Sequence, residues 1–147
     1  RGDIKQWNQM LAEAAHNAGV ITNDEYATFQ NAGYMGLYGG LTVAGIHKKK
    51  DLKENEKILD FMSSTELIAN LFRISQTEEK LKKENISSAD AANEAHYIVG
   101  SEVRSTIQRV GGTLPEDMPT PTRSITEIER EQIKKLKKSK TKLMLDE

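Results

Sequence analysis

The chain contains no cysteine, which excludes disulfides, thiol catalysis and thiolate metal sites. Aromatics are few: one Trp, four Tyr and three Phe among 147 residues. Any core is therefore mainly Leu, Ile, Val and Ala. No apolar run approaches the ~20 residues that span a bilayer, and no signal-peptide pattern opens the sequence. The missing cysteine permits an intracellular, cytoplasmic site. No stretch alternates β-branched residues, so strands are not expected, and no internal repeat is present. Net charge is −1, too small for a global field that would draw the protein to nucleic acid.

What is present suits helices washed by solvent on one face. Hydrophobic residues make up 37% of the chain and charged residues 29%, a balance below the globular average in apolar content. The length fits one domain, or one domain with an appendage. A chain of this size buries about 68–70% of its unfolded surface and needs no metal to fold. The first residue is Arg1 rather than Met, which reads as a fragment whose N-terminal neighbour has been removed.

Residues 4–18 predict a helix: Ile4, Trp7, Leu11, Ala14 and Ala18 form a stripe that Gly19 stops. Thr22 and Glu25 form a capping box that opens a short helix to about Asn31. Gly33 to Thr42 holds four glycines in the run Gly33-Tyr-Met-Gly36-Leu-Tyr-Gly39-Gly40, which reads as a turn or a loop with close backbone approach. Thr42 caps a short helix through Lys49. Residues 53–61 form a short helical or irregular link. Ser63 with Glu66 makes a further capping box before a helix over 63–84, with Leu67, Ile68, Leu71, Phe72 and Leu81 on its apolar face.

Ser87 with Asp90 starts the next helix. Its stripe of Ala89, Ala92, His96, Val99, Val103, Ile107 and Val110 is the cleanest periodicity in the chain, ending at Gly111-Gly112. All three prolines fall between Pro115 and Pro121. That makes 111–123 a semi-rigid strap, about 43 Å long if fully extended. Ser124 with Glu127 caps a last helix running toward Leu145. Its apolar stripe of Ile125, Ile128, Leu136 and Leu143 is thin, so it is expected to be partly exposed or docked on a partner. The expected architecture is all-α: a helical core of five to seven helices over 1–110, the strap, and a basic C-terminal helix over 124–147.

The chemistry-bearing residues are sparse. His96 sits on an apolar stripe, where a satisfied buried histidine is the ordinary outcome. His47 adjoins three lysines, and His16 falls on a helix surface. No His-x-x-x-His pair suggests zinc, and no Gly-Lys-Ser/Thr follows the glycines as a phosphate loop requires. Ser63, Ser64 and Thr65 have no base at nucleophile spacing. Paired carboxylates such as Glu78/Glu79 lie in polar sequence, without the apolar surroundings that raise an acid's pKa. No catalytic residue, cofactor or metal is expected. The better constellation is the glycine run with its following lysines. Tyr34 and Tyr38 either fill the small core or stack on unpaired bases while Lys48, Lys49, Lys50 and Lys53 follow the backbone. The C-terminal lysines at 134, 135, 137, 138, 140 and 142 wrap most of their helix and offer phosphates or an acidic groove a partner.

Several blocks, in order, resemble the DNA-damage-inducible protein D (DinD) family: Phe29-Gln30-Asn31, Gly36-Leu37-Tyr38-Gly39-Gly40-Leu41, Lys57-Ile58-Leu59-Asp60, Ser64-Thr65-Glu66-Leu67, Ala69-Asn70-Leu71-Phe72-Arg73, Gln76 to Leu81, Gly111 to Glu116 and Pro119-Thr120-Pro121. The resemblance runs from about Asn8 to Thr126. Gly36, Gly39, Gly40, Ser64 and Glu66 stand in it as structural positions. Two positions depart: a glycine is usual in the family where Asp51 and Ser63 stand. The resemblance implies a C-terminal helical part that follows a phage-antirepressor-like domain. It also implies a bacterial SOS-response role in DNA repair and recombination, restraining recombinase filaments on single-stranded DNA without enzymatic chemistry. The residues expected to make polar contacts are Tyr34, Tyr38, Lys48, Lys49, Lys50 and Arg73. The alternative is a structural or dimerisation module of an antirepressor-like DNA-binding protein. There the 88–110 stripe or the C-terminal helix pairs between chains.

Overall fold

The computed structural model describes residues 2–122 and 124–146. Its described residues form six α-helices and no strand: α1 (Gly2–Asn17), α2 (Asn23–Leu37), α3 (Val43–Lys49), α4 (Ser64–Lys83), α5 (Ala89–Arg109) and α6 (Ile125–Asp146). Short 3₁₀ turns lie at Ile58–Phe61 and Pro115–Asp117. The all-α expectation holds. No helix among the described residues is long and apolar enough to cross a membrane.

Local chemistry sets most helix starts. The Thr22 hydroxyl accepts from the Glu25 amide while the Glu25 carboxylate accepts from the Thr22 amide, at 3.1 and 3.0 Å. The Thr22 and Ile21 amides, both donating to that carboxylate, hold the Glu25 carboxyl below its usual range. Thr42 and Ser124 cap α3 and α6 in the same manner through their hydroxyls. The cap of α5 is Ser88, whose hydroxyl accepts from Ala91, one residue past the expected Ser87. Gly19 ends α1 with φ +108°, a conformation that costs a side chain dearly.

The glycine run departs from expectation. Residues 33–37 are helical, and α2 continues to Leu37 instead of stopping near Asn31. The reason lies in tertiary packing. α2 and α5 run side by side in the same direction at a separation only glycine allows. A Cβ on Gly100 would lie 2.5 Å from the Gly33 carbonyl oxygen, and one on Gly36 would lie 2.4 Å from that of Tyr97. Only Gly39 and Gly40, with φ +67° and +107°, make the turn that the glycines suggested. Of the α5 stripe, Ala92, His96 and Val103 are buried in the interior, together with Ala95 and Gly100. Half-buried Val99 and Ile107 and exposed Val110 complete the stripe toward its C-terminal end.

Two apolar clusters form the interior. One gathers Leu11, Ala14, Phe29, Ile74, Leu81 and Ala92 from α1, α2, α4 and α5. The other gathers Tyr34, Leu37, Tyr38, Ile46, Ile58, Met62, Ala69 and Val103. Full burial of a side chain such as Phe29 stabilises by about 1.5–3 kcal/mol. The strap is tied down: Pro115 and Met118 are buried, and Glu116 takes two hydrogen bonds from the Arg104 guanidinium at 2.8 and 2.9 Å. Burial pushes the Glu116 carboxyl up, but Arg104 outweighs it and holds the group below its usual range. α6 packs against the Ile58–Phe61 turn, and every residue of it from Arg130 to Ser139 is exposed.

Candidate nucleic-acid interface and the buried polar network

Beside the buried Ala69, Ile74 and Leu81, the inward face of α4 carries a polar stripe. Glu66, Asn70, Arg73 and Thr77 recur at intervals of four, three and four, and all are buried. Ile68 and Phe72, placed by sequence on the apolar face, are 66% and 54% exposed. The Ser63–Glu66 capping box forms only by half. The Ser63 hydroxyl accepts from the Glu66 amide at 3.4 Å, but the Glu66 carboxylate turns into the core. There the Tyr38 hydroxyl donates to one oxygen, and the Lys50 ammonium donates to the other at 2.7 Å.

A continuous polar chain follows. Lys50 also donates to the Phe61 carbonyl at 3.1 Å and reaches the Thr120 hydroxyl of the strap at 3.5 Å. The Asn70 amide donates to the Tyr38 hydroxyl at 3.0 Å, and its carbonyl accepts from Arg73 at 3.2 Å. Arg73 donates to His96 Nε2 at 2.6 Å. His96 Nδ1 lies 2.8 Å from the Phe29 carbonyl. A carbonyl only accepts and a guanidinium only donates, so the ring is the neutral tautomer with its hydrogen on Nδ1. Burial, and then the Arg73 charge, hold His96 well below its ordinary pKa. Burial and then the Glu66 charge push the Tyr38 phenol far up. The Arg73 guanidinium lies 4.4 Å from the centre of the Tyr34 ring, a cation–π contact of the kind that offsets desolvation. Arg73 Nε has no hydrogen-bond partner. The network locks α2, α3, α4, α5 and the strap to one another.

This arrangement corrects the proposed contact set. Tyr34 and Tyr38 are 7% and 2% exposed and Arg73 is 2% exposed, so none presents a face to a base or phosphate. The Lys50 side chain is buried against Glu66. The core-filling alternative for the tyrosines is the one realised, because the α2–α5 approach draws 33–38 into the interior. Lys48 and Lys49 remain on the surface, with the Lys49 ammonium 3.8 Å from the Asp117 carboxylate. Among the structural positions, Gly36 serves the helix crossing, Gly39 and Gly40 the turn, Ser64 is exposed at the start of α4, and Glu66 anchors the network. His47 bonds the Glu56 carbonyl at 2.9 Å, and His16 is exposed.

Two concavities flank the network. A small pocket of about 200 Å³ lies between α3 and the strap, lined among others by Leu41, Ile46, Lys49 and Pro115. An open groove of about 800 Å³ runs between α1, α2 and the 54–60 segment, with Ile4, Tyr26, Val43 and Ile58 in its walls. Among the described residues, no group of three or more His, Asp or Glu side chains could hold a metal ion. Sequence reasoning missed the inward polar stripe of α4. The four–three–four spacing of Glu66, Asn70, Arg73 and Thr77 was the available signal.

The chain matches the family described as the DinD C-terminal domain over residues 1–128. DNA damage-inducible protein D of Escherichia coli (strain K12) is 56% identical over 129 residues, covering 88% of this chain and 47% of that protein. The chain thus spans about half the length of the curated relative it matches. No solved structure matches it.

Proposed function

Because the chain belongs to the DNA-damage-inducible protein D family through the C-terminal domain of that family, we propose that it is a regulator of the DNA-damage response. In this reading it acts without catalysis, by contacting recombinase filaments on single-stranded DNA. The observation that carries the proposal is the 56% identity to a protein named for its induction by DNA damage. The geometry supports the non-enzymatic part. Glu66 and His96, the titratable groups at the heart of the fold, are fully buried and hydrogen-bonded to Tyr38, Lys50, Arg73 and Phe29. Such groups act as fasteners, since a general acid or base must reach a substrate proton.

The test is a titration of the protein into fluorescently labelled single-stranded DNA coated with bacterial recombinase, read by anisotropy at physiological salt. A fall toward the free-DNA value, or a further rise, supports the proposal as disassembly or as binding respectively. No change at saturating protein refutes it for this part of the family protein.

A second reading, self-association through α6, is favoured by one observation: Ile133 and Leu136 are 52% and 70% exposed on that helix. Sedimentation across a hundredfold concentration range checks it, and a strict monomer eliminates it.

A further inference from the structure

We infer that the lysine-rich half of α6 is a binding arm for the phosphodiester backbone of single-stranded nucleic acid. The inference rests on the reading above, that the protein works at recombinase-coated DNA, and it names the surface and the ligand chemistry.

Residues 134–142 carry six lysines and no carboxylate in a chain of net charge −1, so the rest of the molecule carries −7. The densest run of lysines uninterrupted by a carboxylate therefore lies here. The fold sets it apart from the body. α6 meets the 58–61 turn, and from there Lys134, Lys135, Lys137 and Lys138 are all exposed. At about 100° per residue these four cover nearly half of the helix circumference. Lys134/Lys138 and Lys138/Lys142 are like-charge pairs one turn apart, which destabilise an isolated helix. A bound polyanion relieves that repulsion.

The choice of polyanion follows from what the helix lacks. A helix lying on a membrane needs a broad apolar face with aromatic anchors, and no Phe, Trp or Tyr occurs from Ile125 onward. A helix seated in a protein groove needs apolar anchors at i, i+3, i+4 and i+7. The stripe through Ile125, Ile128, Leu136 and Leu143 is broken by Gln132 and Ser139. A phosphate backbone needs only cations in reach, with no apolar anchor.

The experiment measures affinity for a bare labelled oligothymidylate at 50 and 200 mM salt. The intact protein is compared with Lys134→Gln/Lys135→Gln/Lys137→Gln/Lys138→Gln and with the corresponding four-arginine variant. Matching urea midpoints confirm that the exposed substitutions leave the fold intact. Four lost phosphate contacts lower the salt slope by about 2.8, roughly a 50-fold difference over this salt range. The arginine variant retains the slope. An unchanged slope in the glutamine variant overturns the inference. So does absent DNA binding, or preferential binding of the intact protein to phosphatidylserine vesicles or polyglutamate. The filament titration, run on the same proteins, separates the two claims. An intact filament effect without bare-DNA binding removes the arm and leaves the proposed function standing. Bare-DNA binding through α6 without a filament effect does the reverse.

Discussion

Replacing Glu66 by Gln isolates the energetics of the buried network. The substitution keeps the shape and removes the charge. The Lys50 ammonium then retains the Phe61 carbonyl and the Thr120 hydroxyl but loses its only carboxylate contact described in the structure. The side chains of this pair are 6% and 0% exposed, so water cannot take over. Removing one partner of such a pair costs about 3–5 kcal/mol, a large share of the roughly 5–15 kcal/mol that holds a domain together. With a urea m-value of about 2 kcal/mol/M, the midpoint falls by about 2 M. The assay is urea unfolding followed by far-ultraviolet circular dichroism. Lys50→Met alone strands the carboxylate beside Tyr38 and costs a similar amount. The double variant removes both charges and costs much less than the two singles together. A Glu66→Gln cost below about 1 kcal/mol, or additive single costs, refutes the claim that this pair is a coupled fastener.

Three further predictions concern other parts of the fold. Gly100→Ala raises helix propensity by up to ~1 kcal/mol, yet its Cβ meets backbone atoms of Gly33 and Leu37 at 2.5 and 2.9 Å. A net loss of at least ~2 kcal/mol is expected in thermal or urea unfolding, and a neutral or stabilising result refutes the close crossing. The His96 ring stays neutral in the folded state, held below 6.5 by burial and by Arg73, whereas the unfolded ring protonates near 6.5. Its contribution to stability is therefore present above 6.5. As pH falls below that value the contribution is lost at up to ~1.4 kcal/mol per unit. Ring nitrogen and carbon resonances should keep the Nδ1–H tautomer at pH 6, and a folded-state titration midpoint at or above 6.5 contradicts this. Asp51 has φ +54°, in the left-handed region that glycine adopts without cost. Asp51→Gly should stabilise by about 0.5–1 kcal/mol, read as a rise in melting temperature, and a fall shows that the Asp side chain itself contributes.

The sequence by itself determined the helices and most of their ends. Thr22, Thr42, Ser63 and Ser124 cap through hydroxyls that reach amides three residues on. That interaction lies within one turn and is legible in any window that contains it. The α5 stripe was likewise visible, because a 3.6-residue period needs no knowledge of what packs against it.

Tertiary structure decided the rest. Whether the 33–37 glycines make a loop or a helix crossing depends on Gly100 and Tyr97, more than sixty residues away. Whether Glu66 caps its own helix or enters the core depends on Tyr38, 28 residues distant, and on Lys50, 16 residues distant. Both choices satisfy the carboxylate locally, and only desolvation by the surrounding elements makes the paired, buried one the outcome. The same dependence decided between core and surface for Tyr34 and Tyr38 and drew Lys50 and Arg73 from an expected contact surface into the interior. It left Lys134, Lys135, Lys137 and Lys138 of α6 outside, where no apolar face was wide enough to bring that part of the helix in.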